Sequence, residues 1–139
     1  MTMFEQEYIK ILNTPREIQI GPYVFDNIEI AENDTAIRKG LMFRQDAPDN
    51  FCMLFKFDDD NIRSFWMKNC EFPIVVVFCD KNWKITAVHR MKVEEACNDE
   101  ELTRYSSVIP ARYAIEFKDS NWFDAVADIV VGTQVEVKL

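Results

Sequence analysis

Residues 72–79 read FPIVVVFC, and this run does more than any other to limit the fold. A strand turns successive side chains to opposite faces, so Ile74, Val75, Val76, Val77 and Phe78 place bulky apolar groups on both. Such a strand is unsuited to a solvated edge. It belongs inside a sheet covered on both faces, and the rest of the chain has to supply the flanking strands and the two covers. The run is far shorter than the ~20 apolar residues that a membrane-spanning helix needs.

The flanking strands are legible. Residues 52–57, 64–69 and 83–91 are rich in aromatic and β-branched residues, and Asp80-Lys81-Asn82 makes a tight connection from the buried run to the last of them. Alternation returns at 112–118 and, after Gly132, at 134–139. Nearer the start, Ile18 and Ile20 alternate with Glu17 and Gln19, Gly21-Pro22 punctuates, and Val24, Ile28 and Ile30 continue the period, which reads as a hairpin. Helical spacing is confined to short pieces. Phe4, Tyr8, Ile11 and Leu12 form one stripe ended by Pro15; Ile37, Leu41 and Met42 form another, capped by Asn33 or Asp34 and broken at 47–50; Ser120 caps a helical turn over 122–126. The pattern predicts a mainly β fold, a small sandwich or barrel with one or two short helices. With no internal repeat or Gly/Ser linker, residues 15–139 read as one β-rich domain preceded by an N-terminal helix or arm over 1–14.

A chain of 139 residues suits one core, and 24 acidic against 16 basic residues leave a net charge of -8. That charge repels nucleic-acid phosphates and anionic membrane surfaces, so neither is an expected partner. Glu5, Glu7 and Lys10 interrupt the apolar residues near the N-terminus, no export signal is seen, and a soluble cytoplasmic protein is expected. There Cys52, Cys70, Cys79 and Cys97, too widely spaced for a metal or dithiol motif, read as free and mostly buried thiols. No cofactor or metal is expected. Asp58-Asp59-Asp60-Asn61 lacks the glycine and glutamate of a calcium loop and reads as a solvated turn. His89, the lone histidine, lies in an alternating strand and reads as structural. Asn33-Asp34-Thr35 matches a glycosylation pattern, but the capping role takes precedence.

Chemistry concentrates at residues 64–73, SFWMKNCEFP. On a strand Phe65, Met67 and Asn69 point one way and Trp66, Lys68 and Cys70 the other. Phe65 and Met67 then fill the core. Trp66 with the Lys68 ammonium beside it offers a flat apolar platform and a donor, the makings of a site for a sugar or an anionic group, and Asn69 adds amide donors and an acceptor. The plainer alternative is a Lys68 stem packed on an outward indole, a contact worth about 0.5–1 kcal/mol. Arg44, following Leu41-Met42-Phe43, either caps the helix or pairs with Glu116, or else converges with Lys68 into a cationic spot on an acidic protein.

The order of GLMFR at 40–44, CMLFKF at 52–57 and SFWMKN at 64–69, followed by Pro73, resembles domain-of-unknown-function family 192, whose members carry GLM-R, GMLF-F and FWMKNT-IPLD in that order. YSSVIPARYAIEF at 105–117 resembles the family's next block, and Val130-Val131-Gly132 its closing V-G-D element. The likeness runs from about Ile28 to the C-terminus. It implies a compact, mainly β fold and carries no established enzymatic activity or cofactor. Shared residues include Gly40, Met42, Arg44, Trp66, Lys68, Asn69 and Glu116. Cys52 stands where the family has Gly, Cys70 where it has Thr, and Val75 where its L-D pair puts Asp. Loss of that carboxylate weakens any catalytic pairing with Lys68.

The leading expectation is a non-catalytic binding module with a small pocket edged by Trp66, Lys68, Asn69, Arg44, Met42 and Glu116. It takes a polar or anionic ligand, carbohydrate included, or a protein segment. One alternative is a hydrolase, carbohydrate-active or other, using Glu116 with Lys68 or an Asp as acid and base, which calls for two carboxyls facing one cleft. The other is an acidic interaction protein of a larger assembly, docking through an acidic face and its N-terminal arm.

Overall fold

In a computed structural model that describes residues 2–5, 13–96, 98–120 and 125–139 (backbone alone for 125 and 126), ten strands form three sheets. The largest sheet has the order β3 (Asn27–Ala31), β4 (Phe51–Asn61), β9 (Ala111–Lys118), β6 (Ile74–Cys79) and β7 (Ile85–Met91). A second, of order β10-β1-β2, joins β1 (Glu17–Ile20) and β2 (Tyr23–Phe25) to β10 (Glu136–Lys138). The third is a ribbon of β5 (Ser64–Phe65) and β8 (Tyr105–Ser106). The fold is mainly β, and its sheets do not close into a barrel. Among the described residues no helix is long and apolar enough to cross a membrane.

The FPIVVVFC run lies where its composition demands. All of β6 is buried, and it pairs antiparallel with β7 on one side and β9 on the other. Alternation then divides its residues between two cores. Val75, Val77 and Cys79 join Leu54, Ile115 and Phe117 in one, which Ile18, Ile20 and Phe25 of the three-stranded sheet close from outside. Ile74, Val76 and Phe78 join Met53, Phe55 and Ala114 in the other. That second core has no sheet of comparable size over it. Leu41, Met67 and Phe72, all from short irregular segments, seal it, with Phe65 and the short helix α1 (Asp34–Lys39) packed alongside.

Several local expectations need correction. The hairpin at the start is β1–β2 alone, turned at Gly21 with φ +55, where an added Cβ would sit 3.0 Å from the Asp128 carbonyl oxygen. Beyond Phe25 the chain changes sheets, so Ile28 and Ile30 lie on β3, parallel to β4. A parallel neighbour requires a crossover, and α1 with the loop after it provides one. Asn33 caps α1 by accepting the Ala36 N–H at 2.8 Å, while Gly40, φ +47, ends it before Leu41 and Met42. Asp58, Asp59 and Asp60 are strand residues of β4 rather than a turn, and Asp59 and Asp60 pair with Arg63 and Arg112.

The expected strand over 64–69 is the two residues of β5, because Asn69 adopts φ +56 and the chain turns there. Residues 6–12, Cys97 and 121–124 lie outside the described residues, and with them most of the N-terminal stripe, one thiol and the first part of the turn expected after Ser120. A short helix α2 (Ala125–Asp128) follows, and the Ser120 hydroxyl donates to Asp49 at 2.9 Å.

Candidate functional site

Two loops meet above the irregularly covered core. The first follows α1 and contains Phe43, a bulky residue at φ +66; the second is the turn at Asn69. Positive φ is costly for most side chains, and asparagine tolerates it better than most. The Phe43 N–H donates to the Asn69 carbonyl at 2.8 Å, so each left-handed turn holds the other. This accounts for Asn at the end of FWMKN: its backbone conformation carries the contact, and its side chain faces water.

Below that junction a cleft of about 640 Å³ opens between α1 with its following loop and the segment of residues 64–70. Met42, Trp66, Lys68, Asn69 and Glu116 all line it. Arg44 does not. It forms a two-pronged pair with Glu29 at 3.1 and 2.6 Å and lies 5.4 Å from the centre of the Phe51 ring, so neither its pairing with Glu116 nor its convergence with Lys68 occurs. The cations that do reach the cleft are Lys68 and two that sequence reasoning passed over, Arg38 and Lys39 in the last turn of α1. Their only signal was position, basic residues just before the glycine that ends a helix, which equally suits the helix dipole. Among the described residues neither forms an ion pair, and both are exposed.

Trp66 and Lys68 do stand side by side. The ammonium is 5.2 Å from the indole centre, but Lys68 also pairs with Asp99 at 2.9 Å, and the Arg104 guanidinium lies closer, 3.9 Å from the same ring. The indole platform therefore already has a cation on it. Alternation fails past Met67, which is fully buried: Asn69 is exposed, and Cys70, expected outside, packs against the core.

Glu116 is the unusual group. It sits in the middle strand of the sheet, opposite Met53 on β4 and Val76 on β6, 7% exposed and on the cleft-facing side. Two residues on, Lys118 is held by Asp46 at 2.8 Å. Glu116 has no such partner among the described residues, and burial pushes its carboxyl up to about 8, so near neutrality it holds its proton. Burial, with the Glu116 charge adding to it, pushes the adjacent Cys70 thiol up to about 12; Cys52 and Cys79 reach the same value through burial foremost. These thiols are free and, at ordinary pH, un-ionised packing groups. His89 is structural as well, its Nε2–H donating to the Ser106 carbonyl at 2.7 Å and its ring packed against Phe78 and Tyr105.

Among the described residues lining the cleft, Glu116 is the one carboxyl. The second carboxyl that the hydrolase alternative calls for is absent from that lining, although Glu116 and Lys68 both belong to it. A neighbouring groove of about 490 Å³, across the turn at Lys68 and Asn69, is lined by Glu71, Glu94, Glu95 and Asp99. Among the described residues no group of three or more His, Cys, Asp or Glu could hold a metal ion.

The profile of the DUF192 family, described as an uncharacterised ACR, matches residues 17–137. The chain belongs to that family. The match begins before Ile28 and takes in β1 and β2, so the DUF192 unit includes the sheet that closes the first core. Two solved structures share the fold. One, a protein of unknown function from Novosphingobium aromaticivorans, is 22% identical with a TM-score of 0.71, over 86% of this chain and 83% of that one. The other, a candidate transcription regulator from Sinorhizobium meliloti, is 22% identical with a TM-score of 0.69, over 87% of this chain and 90% of that one. No curated protein matches significantly.

Proposed function

We propose that this DUF192 protein is a binding module whose cleft takes a small amphiphilic anion. The observation that carries the reading is a local reversal of charge. On a chain of net charge -8, Arg38 and Lys39, neither in an ion pair among the described residues, and Lys68, which is paired with Asp99, border a cleft whose apolar lining includes Ile37, Leu41, Met42 and Phe65, and its single carboxyl keeps its proton near neutrality. The cations attract a carboxylate, sulfonate or phosphate, and the walls remove an apolar body from water at about 25 cal/mol per Å². The volume falls within the ~300–1,000 Å³ of ordinary small-molecule sites. A sugar fits less well, because Arg104 occupies a face of the indole that would stack on it. Nucleic acid fits poorly too, since the net charge of the whole opposes it.

Octanoate and its uncharged analogue octanol separate the claims in an amide-resolved NMR titration. Octanoate is expected to shift resonances of residues 37–43 and 64–70, octanol to do so at least about tenfold more weakly, and the double variant Arg38→Glu, Lys39→Glu to remove that difference. Shifts elsewhere, or equal binding of acid and alcohol, would sink the reading.

A further inference from the structure

Depth orders the polar groups of the cleft. Arg38 and Lys39 are exposed, Lys68 is half-buried, and Glu116, on the floor, is 7% exposed and without a partner among the described residues. The carboxyl has no protein partner among the described residues and is not sealed from the cleft, so its hydrogen bonds go to whatever fills the cleft, water or a ligand atom that takes the water's place. We propose that Glu116 is the specificity-determining residue of this cleft, hydrogen bonding the inner polar end of a ligand whose anionic end lies among Arg38, Lys39 and Lys68. The inference rests on the reading of the cleft as an anion site and adds to it the far end of the ligand.

The protonation of Glu116 decides which ligands suit. As the acid, its O–H donates to a carbonyl or ether oxygen; as the carboxylate, it would repel the same oxygen. The ligand class is therefore an anion carrying a neutral hydrogen-bond acceptor at the opposite end of an apolar body. The groups around the floor agree with a proton held there. Cys70 is un-ionised, Lys68, Arg38 and Lys39 lie outward, His89 beyond Val76 is committed to Ser106, and Lys118 is neutralised by Asp46. None of them is within an ion pair of Glu116.

The test compares octanoate with 7-oxooctanoate, which adds one acceptor at the inner end. At about pH 6 the keto acid is expected to bind roughly tenfold more tightly, and by about pH 9 that preference should vanish as Glu116 ionises. Glu116→Gln, which keeps an N–H donor, should retain the preference at both pH values; Glu116→Leu should lose it while still binding octanoate. Equal affinities for the two acids at the lower pH, or a preference that survives in Glu116→Leu, would overturn the role of Glu116 and leave the anion site standing. Failure of both acids to bind would overturn the anion site and this inference with it.

Discussion

The two faces of the five-stranded sheet are built from alternate residues of the same strands, yet they are covered in opposite ways. Tyr113, Ile115 and Phe117 of β9 turn toward β1, β2 and β10, where Phe117 packs 4.7 Å from Phe25 and 6.4 Å from Tyr23, centre to centre. Ala114 and Glu116 turn the other way, toward loops, a six-residue helix and a two-stranded ribbon. A sheet laid on a sheet presents a continuous row of side chains and fills the space between. Loops pinned to one another at a few points do not. The contrast teaches that the cleft follows from the kind of cover, and that a carboxyl is tolerated on β9 where the cover leaves room above it.

The largest break in this comparison should come from the sheet-covered face. Phe117→Ala is expected to lower stability by about 3–5 kcal/mol, measured by urea unfolding, while octanoate affinity of the folded fraction stays unchanged. A comparable loss of affinity would mean that the faces are not independent.

Glu116→Gln tests the other face. The folded carboxyl sits at about 8 and the ordinary value is 4.5, so the folded state retains a proton that the unfolded chain gives up between those values. The stability due to this proton is fully present below the lower value and is lost as pH rises through the upper one. The variant should therefore match the wild type's pH trend at acid pH and gain on it by about 4 kcal/mol by the time pH reaches 8, read from unfolding curves at several pH values. A gap between the two proteins that does not change with pH would show that Glu116 ionises normally.

The smallest effect concerns the cover itself. Asn33→Ala removes the cap of α1 and should cost about 1 kcal/mol in thermal melts, with octanoate binding weakened because Arg38 and Lys39 fray with the helix. Unaltered binding would place the attraction on Lys68 alone.

How much of this was legible depended on whether a property belongs to one strand or to a pair. β6 was readable because period two and β-branched composition report burial of both faces directly, and a cap at Asn33 or Asp34 is equally local, the structure choosing Asn33. The parallel pairing of β3 with β4 was not, since alternation identifies a strand but says nothing of its neighbour. Arg44 illustrates the same limit: its charge was visible, while the choice of Glu29 over Glu116 depends on the crossover. At residues 64–70 the apolar rhythm runs straight through Met67 and conceals a turn that only the φ of Asn69 reveals. Glu116 entered as a shared residue of a resemblance. That it lacks a cation, while Lys118 has an anion, is a fact of packing.

The first and last strands of the described fold lie side by side, Ile18 opposite Val137, and the Arg16 N–H reaches the Lys138 carbonyl at 2.9 Å. On the ribosome, β1 and β2 must wait more than 100 residues, until Glu136–Lys138 has emerged, before their third strand arrives. Until then Ile18, Ile20 and Phe25 have an incomplete ladder behind them, and a nascent chain stalled short of residue 136 would be the species for chaperones to shield.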